Sequence, residues 1–95
     1  MPTEVQHLSE QQRYIFSVDG RDVGLTDYRM LGGDIHIVHT EIDPRLRGRG
    51  HGAAMVREVL DQIRAEGTGR VVADCPFVVD FMVQHPEYQE LERRG

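Results

Sequence analysis

Ten residues near the middle of the chain, Asp43-Pro44-Arg45-Leu46-Arg47-Gly48-Arg49-Gly50-His51-Gly52, combine the types that seat a phosphate. Glycines stand at alternate positions between arginines, where the backbone can approach a ligand closely and adopt dihedrals that other residues avoid. An apolar-periodic segment follows at once. The first turn of a helix offers unpaired N–H groups and the positive end of a dipole. Such a turn opening on glycine is a seat for a phosphate or pyrophosphate. Two common nucleotide loops do not fit. A P-loop ends in Gly-Lys-Ser/Thr, and the chain has no lysine. A dinucleotide fingerprint started at Gly48 or Gly50 places Ala53 or Met55 at its third glycine.

The flanking segments must position this loop. Tyr14, Phe16 and Val18 alternate with polar neighbours, which predicts a strand over 13–18. Asp19-Gly20 is a strong hairpin turn. A second strand is expected from about Asp22 to Leu31, then Gly32-Gly33 reverses the chain into a third over 34–42. Strict alternation on that third strand puts Ile35, Ile37, His39 and Glu41 on one face and His36, Val38, Thr40 and Ile42 on the other. Apolar residues on both faces predict partial cover on each side. Val56, Val59, Leu60 and Ile63 recur at helical spacing up to Gly67, a left-handed cap. Val71-Val72-Ala73 reads as a short buried strand, Phe77 to Gln84 as a second helix, and the residues after His85-Pro86 as a polar tail. Residues 1–12 read as a polar lead-in. The expected fold is α+β (mixed α/β) and a single domain over 1–95. It is a three-stranded antiparallel meander, then helix, parallel strand and helix, the crossover joining parallel neighbours.

The segment Arg47-Gly48-Arg49-Gly50-His51-Gly52 resembles the R-x-x-G-x-G signature of the GCN5-related N-acetyltransferases. A second frame, Arg45 to Gly50, also satisfies it, and the first is preferred because the helical periodicity begins directly after Gly52. His39-Thr40-Glu41-Ile42-x-Pro44, Cys75-Pro76-Phe77-Val78 and His85-Pro86-Glu87-Tyr88 extend the likeness to the small, truncated, single-domain branch, over roughly residues 13 to 91. The resemblance implies acetyl-CoA (CoA) as cofactor. Backbone amides from Arg47 through Gly48, Arg49, Gly50, His51 and Gly52 to Ala53 would hold the pyrophosphate. The pantetheine would lie between the third and fourth strands, with the backbone near Ile42 on the acetyl carbonyl. His51 departs from the small aliphatic residue usual in the family. It either adds a donor to a phosphate or points outward.

Acetyl transfer to an amine requires a base, a polarised thioester carbonyl and a thiolate that can leave. The resemblance makes four residues candidates. Cys75 would be a nucleophile or a small residue lining the channel. His39 or Glu41 would deprotonate the amine, directly or through water, or be a packed and an exposed strand residue respectively. Tyr88 would protonate the departing thiolate or simply pack the tail. Asp74 ranks lower because it faces away from Cys75. His36 and His39, three apart on a strand, are expected on opposite faces and so share no metal.

Composition bounds the function class. The chain has 95 residues, 39% hydrophobic and 28% charged, an ordinary balance for a globular protein. A net charge of −5 argues against general nucleic-acid or anionic-membrane binding. The lone cysteine excludes an internal disulfide, and no apolar signal core or membrane-length run is present, so a soluble cytoplasmic protein is expected. The reading is an acetyl-CoA-dependent N-acetyltransferase acting on an amine, small or protein-borne. The alternative is a CoA-binding module with little or no catalysis, since the chain lacks the segments that build an acceptor pocket in longer relatives.

Overall fold

The computed structural model describes residues 2–67 and 69–93. Five strands form one sheet in sequence order: β1 (Thr3–Leu8), β2 (Arg13–Val18), β3 (Arg21–Leu31), β4 (Asp34–Ile42) and β5 (Val71–Ala73). The first four pair antiparallel, and β5 joins β4 in parallel through Ile35↔Val71 to Ile37↔Ala73. The crossover is helix α1 (His51–Glu66), and α2 (Pro76–Gln84) follows β5. The turn at Asp19-Gly20 has positive φ at both residues (52° and 80°), as the right-handed strand twist requires of a two-residue hairpin.

The expected α+β order therefore stands, with one strand more than the meander read from the sequence. Residues 3–8 of the expected lead-in form β1 rather than a loose segment, while Met1 lies outside the described residues. Its period is hidden because the inward positions after Val5 include a histidine. The His7 ring stacks on Tyr14 at 4.2 Å, with Nε2 2.6 Å from the Tyr28 hydroxyl and Nδ1 3.0 Å from Glu66 Oε2. The predicted tail is likewise ordered, as a 3₁₀ segment (Pro86–Glu92) that buries Tyr88 and Leu91.

Only one face of the sheet is covered. Tyr14, Phe16, Ile35 and Ile37 meet Met55, Val56, Val59, Leu60 and Ile63 of α1 and Val78, Phe81 and Met82 of α2. Each such side chain contributes about 1.5–3 kcal/mol on burial, so α1 is held by packing rather than by its ends. Partial cover on both faces of β4 was expected, and a bulge explains the difference. Asp27 pairs with His39 and Tyr28 with Ile37, leaving Val38 as an extra residue on β4. Beyond it the alternation shifts by one. Thr40 and Ile42 join Ile35 and Ile37 on the helix side, and His39 and Glu41 move to the open side with His36.

Candidate active site

The groove begins at the amino end of α1. Its N-cap is Gly50, left-handed at φ 80°, with no side chain capping the helix and no acidic residue in the first turn. Ala54 is the first residue whose N–H is answered from within, by Gly50 O at 3.2 Å. The preceding N–H groups of the first turn thus have no intrahelical acceptor. Glycine in place of a capping side chain costs roughly a few tenths of a kcal/mol, small against the five buried side chains of α1, so the fold tolerates an open helix end. Before it, Asp43 fastens the turn. Its carboxylate accepts from the Arg45 N–H (3.0 Å) and from the Arg45 guanidinium (3.2 and 2.9 Å), and those bonds hold it below the ordinary carboxylate range. Arg45 is thereby committed. Arg47 and Arg49 are exposed and make no ion pair among the described residues. The frame Arg47 to Gly52 is thus the one whose first arginine has no carboxylate partner among the described residues.

Two adjoining cavities run from this end. One, of about 390 Å³, is lined by Leu46, Arg47, Gly48, Gly50, His51 and Ala53 together with Ile42, Gly52 and Phe77. The other, of about 300 Å³, shares Ile42, Arg47, Gly52 and Phe77 and adds Met55, His39, Thr40 and Glu41. The shared residues join them into one groove. The second cavity has Met55 from the helix side and His39 and Glu41 from the open side, so the groove passes through the plane of the sheet. It can do so because β4 and β5 part. Their ladder ends at Ile37↔Ala73, where the Ile37 carbonyl accepts from both Asp74 and Cys75 N–H at 3.0 Å and the chain turns into α2. The Asp43 N–H bonds back to Val23 O at 2.8 Å. Alternation along the strand then turns the Ile42 N–H the other way, into the gap.

His39 and Glu41 stand together at the open end, Nε2 to Oε1 3.3 Å, both well exposed. Cys75 is buried one layer behind. Thr40 Oγ1 lies 3.5 Å from its sulfur, and Thr40, not Cys75, lines the cavity. Burial pushes the Cys75 thiol up. The Thr40 hydroxyl and the backbone N–H groups of Val78, Phe77 and Thr40 more than offset that, leaving it below its ordinary value.

Tyr88 does not join this group. Its hydroxyl donates to Asp61 Oδ1 at 2.7 Å and accepts from Arg57 at 3.4 Å, on the flank of α1 beside Phe81. Asp74, facing away from Cys75, pairs with His36 Nδ1 at 2.8 Å. The bulge also corrects the expectation for the histidines: His36 and His39 share a face, each engaged with its own carboxylate. Among the described residues no three His, Cys, Asp or Glu side chains cluster as metal ligands, and no helix is long and apolar enough to cross a membrane.

Three site residues escaped the sequence reading. Thr40 gave no local signal, because its partner is thirty-five positions away. Phe77 gave only the signal of an apolar residue opening a helix, yet it is 46% exposed and floors the groove. Gly24 had a signal, an isolated glycine inside a strand, which marks close approach. A Cβ there would stand 2.6 Å from Ile42 Cδ1 and 2.8 Å from Glu41 O.

The chain has relatives among known proteins. The chain is similar to the bifunctional protein GlmU of Bordetella petrii, 36% identical over 89 residues that make up 92% of this chain and 18% of that protein. Among solved structures it resembles the ribosomal-protein-S18-alanine N-acetyltransferase of Escherichia coli, with TM-score 0.60 at 10% identity over 76% of this chain and 49% of that one. That likeness is one of fold. An acetyltransferase of Trypanosoma brucei superposes with TM-score 0.47 at 25% identity, over 87% of this chain and 61% of the other. The chain thus spans less than two thirds of each of these proteins. A family model described as GCN5-related N-acetyl-transferase matches residues 13–91, and with this match over most of its length the chain belongs to the GCN5-related N-acetyl-transferase family.

Proposed function

We propose that the chain takes acetyl-CoA as donor and passes the acetyl group to an amine. One observation carries this reading: a single groove links an uncapped helix end, flanked by two unpaired arginines, to a gap between parting strands. A diphosphate fits the first-turn N–H groups of His51, Gly52 and Ala53, with the Gly48–Gly50 loop beneath it and Arg47 and Arg49 beside it. Ile42 and Phe77 form an apolar bed for a pantetheine arm. Acetyl-CoA, when bound, supplies the acyl group in activated form as a thioester. The Ile42 N–H, turned into the gap, would donate to the acetyl carbonyl oxygen.

Glu41 and His39 hold the proton-accepting role at the open end, since both border the cavity and an incoming ammonium must be neutralised before it can attack. Cys75 packs behind the wall that Thr40 forms. Thr40 stands between its sulfur and the cavity, which favours direct transfer to the amine over an acyl-cysteine. Tyr88, committed to Asp61, takes no part. Calorimetry with CoA, ATP and NAD, followed by thiol release from acetyl-CoA over an amine library, tests the reading. Binding of CoA alone with amine-dependent thiol release is expected. Absence of CoA binding overturns it. Binding without thiol release for any amine identifies a CoA-binding module instead.

A further inference from the structure

The face of the sheet opposite the helices is uncovered, and the groove opens onto it at His39 and Glu41. Its register is continuous across four strands. Gln6 pairs with Ile15, Ile15 with Leu25 and Leu25 with Glu41, so one transverse row carries two partly exposed apolar side chains directly to the groove mouth. The next row runs Leu8, Arg13, Asp27 and His39. Its arginine is already taken, with Nε donating to Asp27 Oδ1 at 2.6 Å and Nη2 to Oδ2 at 3.1 Å. Glu4 and Asp22 flank Ser17 on the same face, and Asp74 lies on it beside His36. Among the described residues, the carboxylates of Glu4, Asp22, Asp27, Asp34, Glu41 and Asp74 thus outnumber the guanidinium groups of Arg13, Arg29 and Arg70 on this face, Arg70 being bonded to Asp34. That is an acidic platform with an apolar stripe.

From this we infer that the acceptor is a basic polypeptide segment, docked extended across the open face so that a lysine or terminal amine reaches His39 and Glu41. The inference rests on the acetyl-transfer reading for its chemistry, though not for the docking itself. Three features favour a polypeptide over a small amine. No described helix or loop rises from this face to wall in a small molecule. Neighbouring strands lie about 4.8 Å apart, so the row from Gln6 to Glu41 spans about 15 Å, the reach of four or five extended residues. The stripe of Ile15 and Leu25 offers contact that a small polyamine does not need. The carboxylate excess selects a cationic segment and repels an acidic one.

The test uses the full chain, labelled with nitrogen-15 and titrated with an unstructured peptide of lysine, valine and glycine. Comparison ligands are its glutamate-for-lysine counterpart and spermidine. The basic peptide should move the amides of Gln6, Ile15, Leu25 and Glu41 and lose affinity as salt rises, while the acidic peptide moves none. Glu4→Arg, on the exposed edge strand and away from the groove, should weaken the basic peptide about three- to fivefold, the size an exposed pair supports when it is reversed. Its CoA affinity should be unchanged. Equal binding of spermidine without movement of Ile15 and Leu25 would overturn the inference in favour of a small acceptor. Perturbations mapping to another surface, or self-association through this face in sedimentation, would overturn it as well. Mapped peptide binding in a chain with no thiol release would strike the reaction alone and leave the docking surface standing.

Discussion

Gly52 tests the groove most directly, because its missing side chain makes room for Phe77. A Cβ at Gly52 would stand 2.8 Å from Phe77 Cζ, with Cε2 and Cε1 at 3.4 and 3.5 Å. Two effects oppose each other in Gly52→Ala. Overpacking costs about 1–3 kcal/mol in a closed core, while replacing glycine by alanine within a helix returns up to about 1 kcal/mol. The Phe77 ring is 46% exposed, so it can swing and relieve the clash at the low end of that range. Net stability should therefore change by no more than about 1 kcal/mol, a few degrees in Tm for a domain of this size. Binding should suffer more, since the displaced ring enters the cavity of about 390 Å³ that Gly52 and Phe77 jointly line. Losing part of that apolar contact, about 1.4 kcal/mol, is a tenfold loss in CoA affinity. Calorimetry on Gly52→Ala, Phe77→Ala and the double variant completes a cycle. In Phe77→Ala the added methyl meets no ring, so the double variant should bind about as Phe77→Ala alone, a coupling of about 1.4 kcal/mol. Strictly additive losses, or an unchanged Gly52→Ala affinity, would refute the assignment of Phe77 as the groove floor.

Three further outcomes follow from the same geometry. Tyr88→Phe should cost about 0.5–1.5 kcal/mol of stability in chemical denaturation through loss of the bond to Asp61, yet leave kcat within about twofold; a large fall in kcat would return Tyr88 to the reaction. Thr40→Val should move the pH inflection of Cys75 alkylation upward, because the hydroxyl that helps hold the thiol below its ordinary value is removed; an unmoved inflection would assign the effect to the helix amides alone. The Asp34 carboxyl is held down chiefly by the hydrogen bond from the Arg70 guanidinium. Its stabilising contribution is present above the unfolded value of about 3.9 and lost as pH falls through the lower folded one, so Asp34→Asn should flatten the decline in melting temperature below about pH 4.

What the sequence disclosed and what it hid divide along a physical line. The hairpin at Asp19-Gly20, the stripe Val56-Val59-Leu60-Ile63 and the cap at Gly67 are each decided within a few residues. Gly67 indeed takes φ 70° with its N–H on Ile63 and Arg64 carbonyls. Strand β1 is not decided locally. Its inward face carries His7, whose burial is worthwhile only because Tyr14, Tyr28 and Glu66 arrive from three other elements to satisfy both ring nitrogens and one ring face. The pairing of Thr40 with Cys75 is of the same kind: two ordinary residues on separate elements, coupled only once α2 begins where β5 ends.

The bulge at Val38 is the most consequential of these hidden features. A strand with strict alternation would place His39 and Glu41 beside Ile35 and Ile37, turned toward α1, and would send Ile42 to the open face. One inserted residue reverses both placements. Ile42 then lies against the helix side, where Gly24 leaves space for it, and its backbone N–H enters the gap. The titratable pair meanwhile reaches the uncovered side. A donor held at the helix end and an acceptor arriving across the open face would therefore meet at one stretch of backbone from opposite sides of the sheet. A bulge adds one residue without changing composition or period enough to register in a window, which is why the residues of the mouth were recognisable while their orientation was not.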